Sequence, residues 1–257
     1  MSKLTNLDAL LGGEVDERAR EIEACARQGR PLPTAAELEE RTRQALREAW
    51  RSSRNRRAFE ARPNRTTMLR SFYLDGGSPS EEEIARVQEK LPVCMERLLD
   101  VPHWQRLREC GSEGCVPIPD FAHFFLDGIK VFAAADLAYV HDDMLFTVDW
   151  KSGRIGNDDS LQVLLQVFGL RESDDTLALL PVSASLHYLT AGDARMVSIP
   201  EELEEHVRDV VMSGVKAMRA RLYDPELNVP LEMDEFERRE SRLCRYCNFT
   251  PLCEQAY

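Results

Sequence analysis

Lys130-Val-Phe-Ala-Ala-Ala-Asp136-Leu-Ala-Tyr-Val140, the polar break His141-Asp-Asp-Met144 and Leu145-Phe-Thr-Val-Asp149-Trp-Lys151 form the stretch that decides the fold. Two runs rich in β-formers around a short polar turn predict a β-hairpin. A turn centred on Asp142 and Asp143 sets an antiparallel register in which Asp136 faces Asp149. Alternation then puts Lys151 on the same face as Asp149 and leaves Phe146, Val148 and Trp150 for a core. Opposed Cβ atoms in such a pair lie roughly 5 Å apart, which lets two carboxylates share one hard cation. A one-residue slip would break the opposition.

Two carboxylates held that close repel each other, and a divalent cation between them relieves the cost. Bound Mg²⁺ or Mn²⁺ polarises a phosphate oxygen and acidifies a water, while an ammonium such as Lys151 orients that water or stabilises developing charge. Phosphodiester hydrolysis is the reaction class this set suits. The other reading, ordinary hairpin aspartates with an edge-strand lysine, stays open on the D-x-K triplet alone.

The 257 residues have 43% hydrophobic and 30% charged composition, sufficient for a sizeable core. No apolar run approaches the roughly 20 residues of a membrane span, and the start lacks a signal-peptide apolar region. A cytoplasmic protein with no membrane partner is expected. A net charge of −12 argues against non-specific coating of nucleic acid, but the charge is uneven. Ten arginines (Arg41, Arg43, Arg47, Arg51, Arg54, Arg56, Arg57, Arg62, Arg65 and Arg70) stand against Glu48 and Glu60 between residues 41 and 70. With Trp50, Phe59, Phe72 and Tyr73 interleaved, the segment reads as a phosphate track with stacking partners. Arg51, Arg54, Arg56 and Arg57 are its candidate nucleic-acid contacts; a solvated helix face followed by a basic loop is the plainer alternative.

Seven cysteines include the compact run Cys244-x₂-Cys247-x₅-Cys253, able to bring three thiolates to one metal centre. Disulfides are disfavoured in a reducing compartment, so a cluster or zinc is the expectation, with incidental thiols as the alternative. The five histidines show no ligand spacing, and His141 and His206 read as solvated. The absence of G-x-x-x-x-G-K-[ST] assigns any helicase function to another chain.

Elsewhere the pattern predicts helices over 13–28, from the capping box Thr34-Ala-Ala-Glu37 to about Ser53, and from Ser80-Glu-Glu-Glu83 to about Asp100 with an interruption near Pro92. Residues 101–128 read as irregular. A helix from about Ser160 to Leu170 buries Leu161, Leu164, Leu165 and Phe168, with Gln162 and Gln166 one turn apart beside that stripe, near the strand ends. A second hairpin spans Leu177 to Ile199 around Thr190–Asp193. A helix over 200–222 carries Val207, Val210, Val211, Val215 and Met218 on one side.

Asp136, Asp149-Trp-Lys151, Gln162 and the terminal C-x₂-C-x₅-C together resemble the RecB-like branch of the PD-(D/E)XK nucleases. The form resembled carries a C-terminal cysteine cluster, as in the nuclease domains of AddB-type helicase-nucleases and of CRISPR adaptation nucleases. The likeness implies an α/β fold with a restriction-endonuclease-like core, a central mixed sheet flanked by helices, a helical N-terminal part and a cysteine-rich C-terminal tail. The whole chain, 1–257, is then a single nuclease-like domain, with a helical part with the basic segment at 1–100, a catalytic core at 120–222 and a tail at 223–257.

The resemblance makes Asp136 and Asp149 metal ligands for Mg²⁺ or Mn²⁺, Lys151 the catalytic lysine, and Gln162 the glutamine of a Q-x-x-x-Y helix motif, with Gln166 in the tyrosine position. Gly13-Glu-Val-Asp16 matches the G-x-x-H context of a further ligand, so Asp16 stands where histidine is expected, and an aspartate is itself a hard ligand. A [4Fe–4S] cluster would take Cys244, Cys247 and Cys253, with zinc as the alternative occupant. The family's first cysteine lies in a Cys-Pro-Arg-aromatic segment that Met1-Ser-Lys-Leu does not match. Either the start is truncated, or Cys25, Cys94, Cys110 or Cys115 supplies the fourth ligand, Cys25 being preferred, or the tail holds another centre.

The expected function is hydrolysis of DNA, single-stranded or with free ends, by an exonuclease of repair, recombination or defence that works beside a helicase. The alternative is a catalytically impaired nuclease fold acting as a nucleic-acid-binding or assembly module.

Overall fold

In chain order the helices are α1 (Leu7–Arg27), α2 (Ala35–Ser53), α3 (Arg56–Ala61), α4 (Arg70–Tyr73), α5 (Glu81–Leu99) and α6 (His103–Cys110). Four strands follow, β1 (His123–Leu126), β2 (Ile129–Phe132), β3 (Leu137–His141) and β4 (Met144–Lys151). Beyond them come α7 (Asp159–Ser173), α8 (Asp175–Ala178), β5 (Val182–Tyr188), β6 (Asp193–Val197), α9 (Leu203–Arg219), β7 (Leu222–Asp224), β8 (Val229–Pro230) and α10 (Thr250–Ala256). This computed structural model describes residues 3–237, 239–241 and 243–256. They divide into a larger unit of residues 7–48 and 80–207 and a smaller one drawn from 1–6, 49–79 and 208–257.

The larger unit is built on a mixed sheet of order β3-β4-β5-β6. Asp142 and Asp143 both take positive φ (49° and 55°), the two left-handed residues of a tight hairpin turn that matches strand twist. The expected register results: Leu137 pairs with Val148 and His141 with Met144. Helix α7 then crosses over and returns the chain as β5, parallel to β4, with Asp149 beside Leu186 and Lys151 beside Tyr188. Residues 177–199 form a hairpin as anticipated, β5 and β6 pairing antiparallel, though its first strand starts at Val182 because Asp175–Ala178 makes a helical turn.

Alternation sorts the sheet into two buried faces. On one, Ala138 and Leu145 pack with Ala135, Leu170 and Leu177. On the other, Trp150 stacks near Trp104 of α6 (5.4 Å between ring centroids) and Tyr139 lies parallel to Phe146 (4.9 Å). That second face holds a buried polar chain. Tyr139 OH and His103 Nδ1 are 2.7 Å apart, His103 Nε2 and His187 Nε2 3.1 Å, and His187 Nε2 and Ser185 Oγ 3.2 Å.

Three sequence expectations change. Pro92 does not interrupt α5, which is continuous from its Ser80–Glu83 capping box to Leu99. The buried row Val87, Leu91, Cys94, Met95 and Leu98 outweighs the roughly 3 kcal/mol that an interior proline costs. Residues 101–128 are not all irregular: they hold α6 and the first strand of a ribbon, β1 paired with β2. The missed signal was Asp127-Gly128, both at positive φ (48° and 77°), an Asp-Gly hairpin turn in the sequence. Helix α7 buries Val163, Leu164, Gln166, Val167, Phe168 and Leu170, while Leu161 and Leu165 are only half-buried. It is covered on two sides, by the sheet and by Phe124 of β1, whose ring sits 4.9 Å from Phe168, so its apolar face is wider than one stripe.

In the smaller unit Leu4, Phe59 and Met68 form a small core with Phe72, Tyr73 and Leu74 against it. Of the α9 residues expected on one side, Val207 and Val215 are buried, but Met218 is exposed.

Candidate active site

Asp149, on the inner sheet face near the end of β4, is fully buried. A carboxylate there is tolerable only if its charge is met, because an unpaired buried ion costs several kcal/mol. Three side chains meet it. Lys151, two residues on and on the same face, brings Nζ to 2.6 Å from Asp149 Oδ2, an ion-pair contact that lacks hydrogen-bond alignment, since Oδ2 has no hydrogen-bond donor. Gln162 Nε2 and Gln166 Nε2 each donate to Asp149 Oδ1 at 3.0 Å. Lys151 Nζ also donates to Gln162 Oε1 at 2.7 Å, closing a ring of three side chains.

Asp136 sits one residue before β3, where the hairpin register carries it opposite Asp149. Its Oδ2 accepts the Trp150 backbone N–H at 2.8 Å. Burial, then the charges of Asp149 and Asp16, push its carboxyl well above the usual range, against the pull of the Trp150 N–H and Lys151. Asp16 comes from α1, which passes the end of β4 so closely that a Cβ on Gly12 would stand 3.3 Å from Ser152 Oγ. Its carboxyl is raised to about 6, chiefly by burial, with Asp149 adding to the rise and Arg20 and Lys151 opposing it. Asp16, Asp136, Asp149, Lys151 and Gln162, far apart in sequence, therefore occupy one electrostatic neighbourhood.

Gln166, the residue in the tyrosine position, belongs to that neighbourhood as well. It is 1% exposed, and its Nε2 donates to Ala134 O at 3.1 Å besides Asp149. One amide thus ties the buried carboxylate to the segment that leads into Asp136. Its spacing one turn from Gln162 and its place at the tyrosine position of the helix motif were the sequence signals for it.

Among the described residues no group of three or more His, Cys, Asp or Glu side chains is gathered tightly enough to hold a metal ion by itself. That does not conflict with Mg²⁺ or Mn²⁺ at the aspartates, since a small hard cation commonly takes only one or two carboxylates and completes its shell with water and phosphate. Asp149 Oδ2, buried without a donor, and two neighbours raised by burial and then by the surrounding carboxylates are a donor set suited to a divalent cation.

The tail cysteines lie in the smaller unit. Cys244 is half-buried in a 3₁₀ turn, Cys247 is exposed with its N–H donating to Cys244 O at 3.0 Å, and Cys253 is on α10. Cys25, half-buried on α1, belongs to the larger unit. Cys94 is buried, with Sγ 3.6 Å from Thr190 Oγ1, and Cys115 is buried with its thiol raised to about 11.

The arginine-rich segment carries less free charge than its composition suggests. Arg41 pairs with Glu21, Arg43 with Glu39, Arg47 with Glu40, Arg56 with Glu60 and Arg70 with Asp75. Arg56 also lies over the Tyr73 ring at 4.2 Å. Arg51, Arg54 and Arg57 are exposed and have no ion pair among the described residues. The interleaved aromatics pack on one another, Trp50 on Phe72 and Phe59 on Tyr73, instead of standing free for stacking. Of the histidines read as solvated, His141 is half-buried with Nε2 3.3 Å from Glu109 Oε2, while His206 is exposed.

A mixed α/β unit with an Asp, Asp-x-Lys hairpin and a glutamine-bearing helix laid on it is the arrangement of a nuclease core. The sequence profile of the PD-(D/E)XK nuclease superfamily matches residues 20–254, so the chain belongs to that superfamily. No curated protein matches the chain. The matched span takes in Asp136, Asp149, Lys151 and the tail, and starts four residues after Asp16. No helix among the described residues is long and apolar enough to cross a membrane.

Proposed function

We propose that the chain is a Mg²⁺- or Mn²⁺-dependent deoxyribonuclease of the RecB-like branch, acting on single strands or free ends as an exonuclease in repair, recombination or defence, beside a helicase. The observation that carries the reading is the convergence of Lys151, Gln162 and Gln166 on the buried Asp149, with Asp136 and Asp16 alongside. Burying carboxylates within one another's field is unfavourable without a ligand.

In this reading Asp136 and Asp149, with Asp16 as the third, hold the divalent ion, which when bound supplies Lewis-acid polarisation of the phosphate and an acidified water. Lys151 lies at the mouth of the site, where its ammonium places the attacking water and meets charge that develops on the phosphate oxygens. Gln162 fixes that ammonium by accepting from it, and restrains Asp149 with its other end. Gln166 holds Asp149 from beneath. Trp150 N–H fixes the rotamer of Asp136, so both carboxylates are set before substrate arrives.

Cys244, Cys247 and Cys253 remain the proposed thiolates of a [4Fe–4S] or zinc centre, with Cys25 as the fourth. Arg51, Arg54 and Arg57 are proposed backbone contacts, with Arg56 braced by Glu60. A single nuclease-like domain over 1–257 accords with a profile match that runs through both units.

Incubation of end-labelled single-stranded DNA with Mn²⁺ should give shortened products, which Asp149→Asn and Lys151→Ala variants reduce by about 100-fold or more. Wild-type rates from both variants, with their folds intact, would refute the assignment.

One observation favours a second reading, a binding or assembly protein on a nuclease fold. Lys151 Nζ already occupies the space beside Asp149 Oδ2, so a cation must displace or share that contact. Tight single-strand binding with no products over hours in Mn²⁺ would select it.

A further inference from the structure

The β1–β2 ribbon has two different faces. Its inner residues Phe124 and Leu126 are buried, and Phe124 packs on Phe168 of α7 at a point where Gly169 permits the approach, a Cβ there standing 3.1 Å from the Phe124 ring. The outer face carries His123, Phe125 and Phe132, with Phe121 just before the ribbon. Phe121, Phe125 and Phe132 are 77%, 62% and 61% exposed. Anchoring needs only the inner face. A second row of aromatic rings left in water is therefore unexplained by folding, and such rows mark binding surfaces.

These rings form a cluster. The His123 centroid is 5.6 Å from Phe125 and 5.8 Å from Phe132, and Lys130 Nζ lies 4.8 Å over the Phe132 ring. His123 Nδ1 donates to Phe121 O at 2.9 Å, which fixes its imidazole. Lys130 has no ion pair among the described residues. Exposed π-faces with a free cation fit unpaired bases and the phosphates that join them.

The surface is continuous with the candidate site. Phe121 and His123 line a groove of about 400 Å³, and its walls Val116 to Pro119 and Ala135 are shared with a second groove of about 350 Å³. The second groove contains Asp136, Arg20 and Arg27, with Glu23 and Asp120 also in its lining; Arg20 pairs with Glu17 and Arg27 with Glu23. Three residues separate Phe132 from Asp136, and α7, on which the ribbon rests, carries Gln162 and Gln166. A strand lying on the rings would reach the aspartates through this groove, past two guanidinium groups whose carboxylate partners its phosphates would replace.

We propose that the outer face of the β1–β2 ribbon is a stacking platform for single-stranded nucleic acid, and that the two grooves carry the strand from it to Asp136. The inference deepens the nuclease reading and rests on it for the direction of the strand, but binding at the rings is independent of turnover. Duplex bases are already stacked on one another and have no free face to offer, so the platform selects unpaired strands.

The test uses the full chain in Ca²⁺, with a fluorescent oligothymidine of about 20 nucleotides, longer than the roughly 4–16 that one such surface occupies. A Phe125→Ala/Phe132→Ala variant should bind it at least about tenfold more weakly while binding a blunt duplex as the wild type does. Phe125→Leu/Phe132→Leu, which keeps apolar area and removes the rings, should lose nearly as much, and tryptophan at both positions should restore affinity. Lys130→Ala should lower the salt slope by about 0.7. Affinity within twofold of wild type in the alanine and leucine variants overturns the proposal. So does a change of oligomeric state in those variants with binding intact, which would make the ribbon a contact between copies. Absence of cleavage by the wild type, with the ring-dependent binding preserved, would sink the nuclease reading and leave the platform standing.

Discussion

Gln166 Nε2 donates to Asp149 Oδ1 at 3.0 Å from a position that is 1% exposed. The same amide reaches Ala134 O, so replacing it removes one buried hydrogen bond to a charged group and a second, part-buried one. Gln166→Leu should lower unfolding free energy by about 2–3 kcal/mol, since a bond to a buried charge is worth more than a neutral one. Urea denaturation measures this. A loss below about 0.5 kcal/mol would mean that Asp149 does not depend on Gln166.

Metal binding has a readout apart from turnover. If Asp136 and Asp149 take Mn²⁺, the ion stabilises only the folded chain, by roughly 2.7 kcal/mol at 100 times its dissociation constant. The wild-type melting temperature should rise with Mn²⁺, and that of an Asp136→Asn/Asp149→Asn variant should not. Equal rises in both proteins would place the ion elsewhere.

His103 makes the fold sensitive to acid. Burial, followed by the positive fields of His187 and Arg106, lowers its imidazole from 6.5 to about 3. Below pH 6.5 the unfolded chain takes up a proton that the folded chain refuses, so this contribution falls as pH drops and goes on falling to about pH 3. Between pH 7 and 4.5 the loss at this site is about 2–3 kcal/mol. Asp136 and Asp16 are raised and work in the opposite direction, so the comparison must be with His103→Gln. The variant should show a flatter decline across that interval, and parallel curves would refute the assignment.

Gly12 sets how near α1 comes to the end of β4. Alanine there meets Ser152 Oγ at 3.3 Å, a tight contact that a small hydroxyl rotation relieves. Leucine has no such relief and must push the helix outward, costing about 1–3 kcal/mol. Gly12→Leu should therefore cut cleavage at least tenfold through displacement of Asp16, and Gly12→Ala should stay within about threefold, both assayed with Mn²⁺. Equal activities would show that Asp16 is not needed near Asp149.

The β3–β4 hairpin and its register follow from the sequence once the turn is centred on Asp142-Asp143, because that pair is a local turn signal and alternation then fixes which side chains share a face. Asp136, Asp149 and Lys151 were legible for that reason, as were the Ser80–Glu83 cap and the position of Gln162 on a helix. Tertiary structure alone decided three things. It turned α7 so that Gln166 entered the core, since a buried amide is stable only where another segment supplies its partners. It brought Asp16 of α1, which the Gly13-Glu-Val-Asp16 match only nominates, to a site more than a hundred residues away, through a close helix-to-strand approach that no local pattern encodes. It also neutralised much of the arginine-rich segment, because ion pairs such as Arg41 with Glu21 depend on which helices meet. Local periodicity specifies faces and turns; which faces meet is settled only when distant segments compete to bury them.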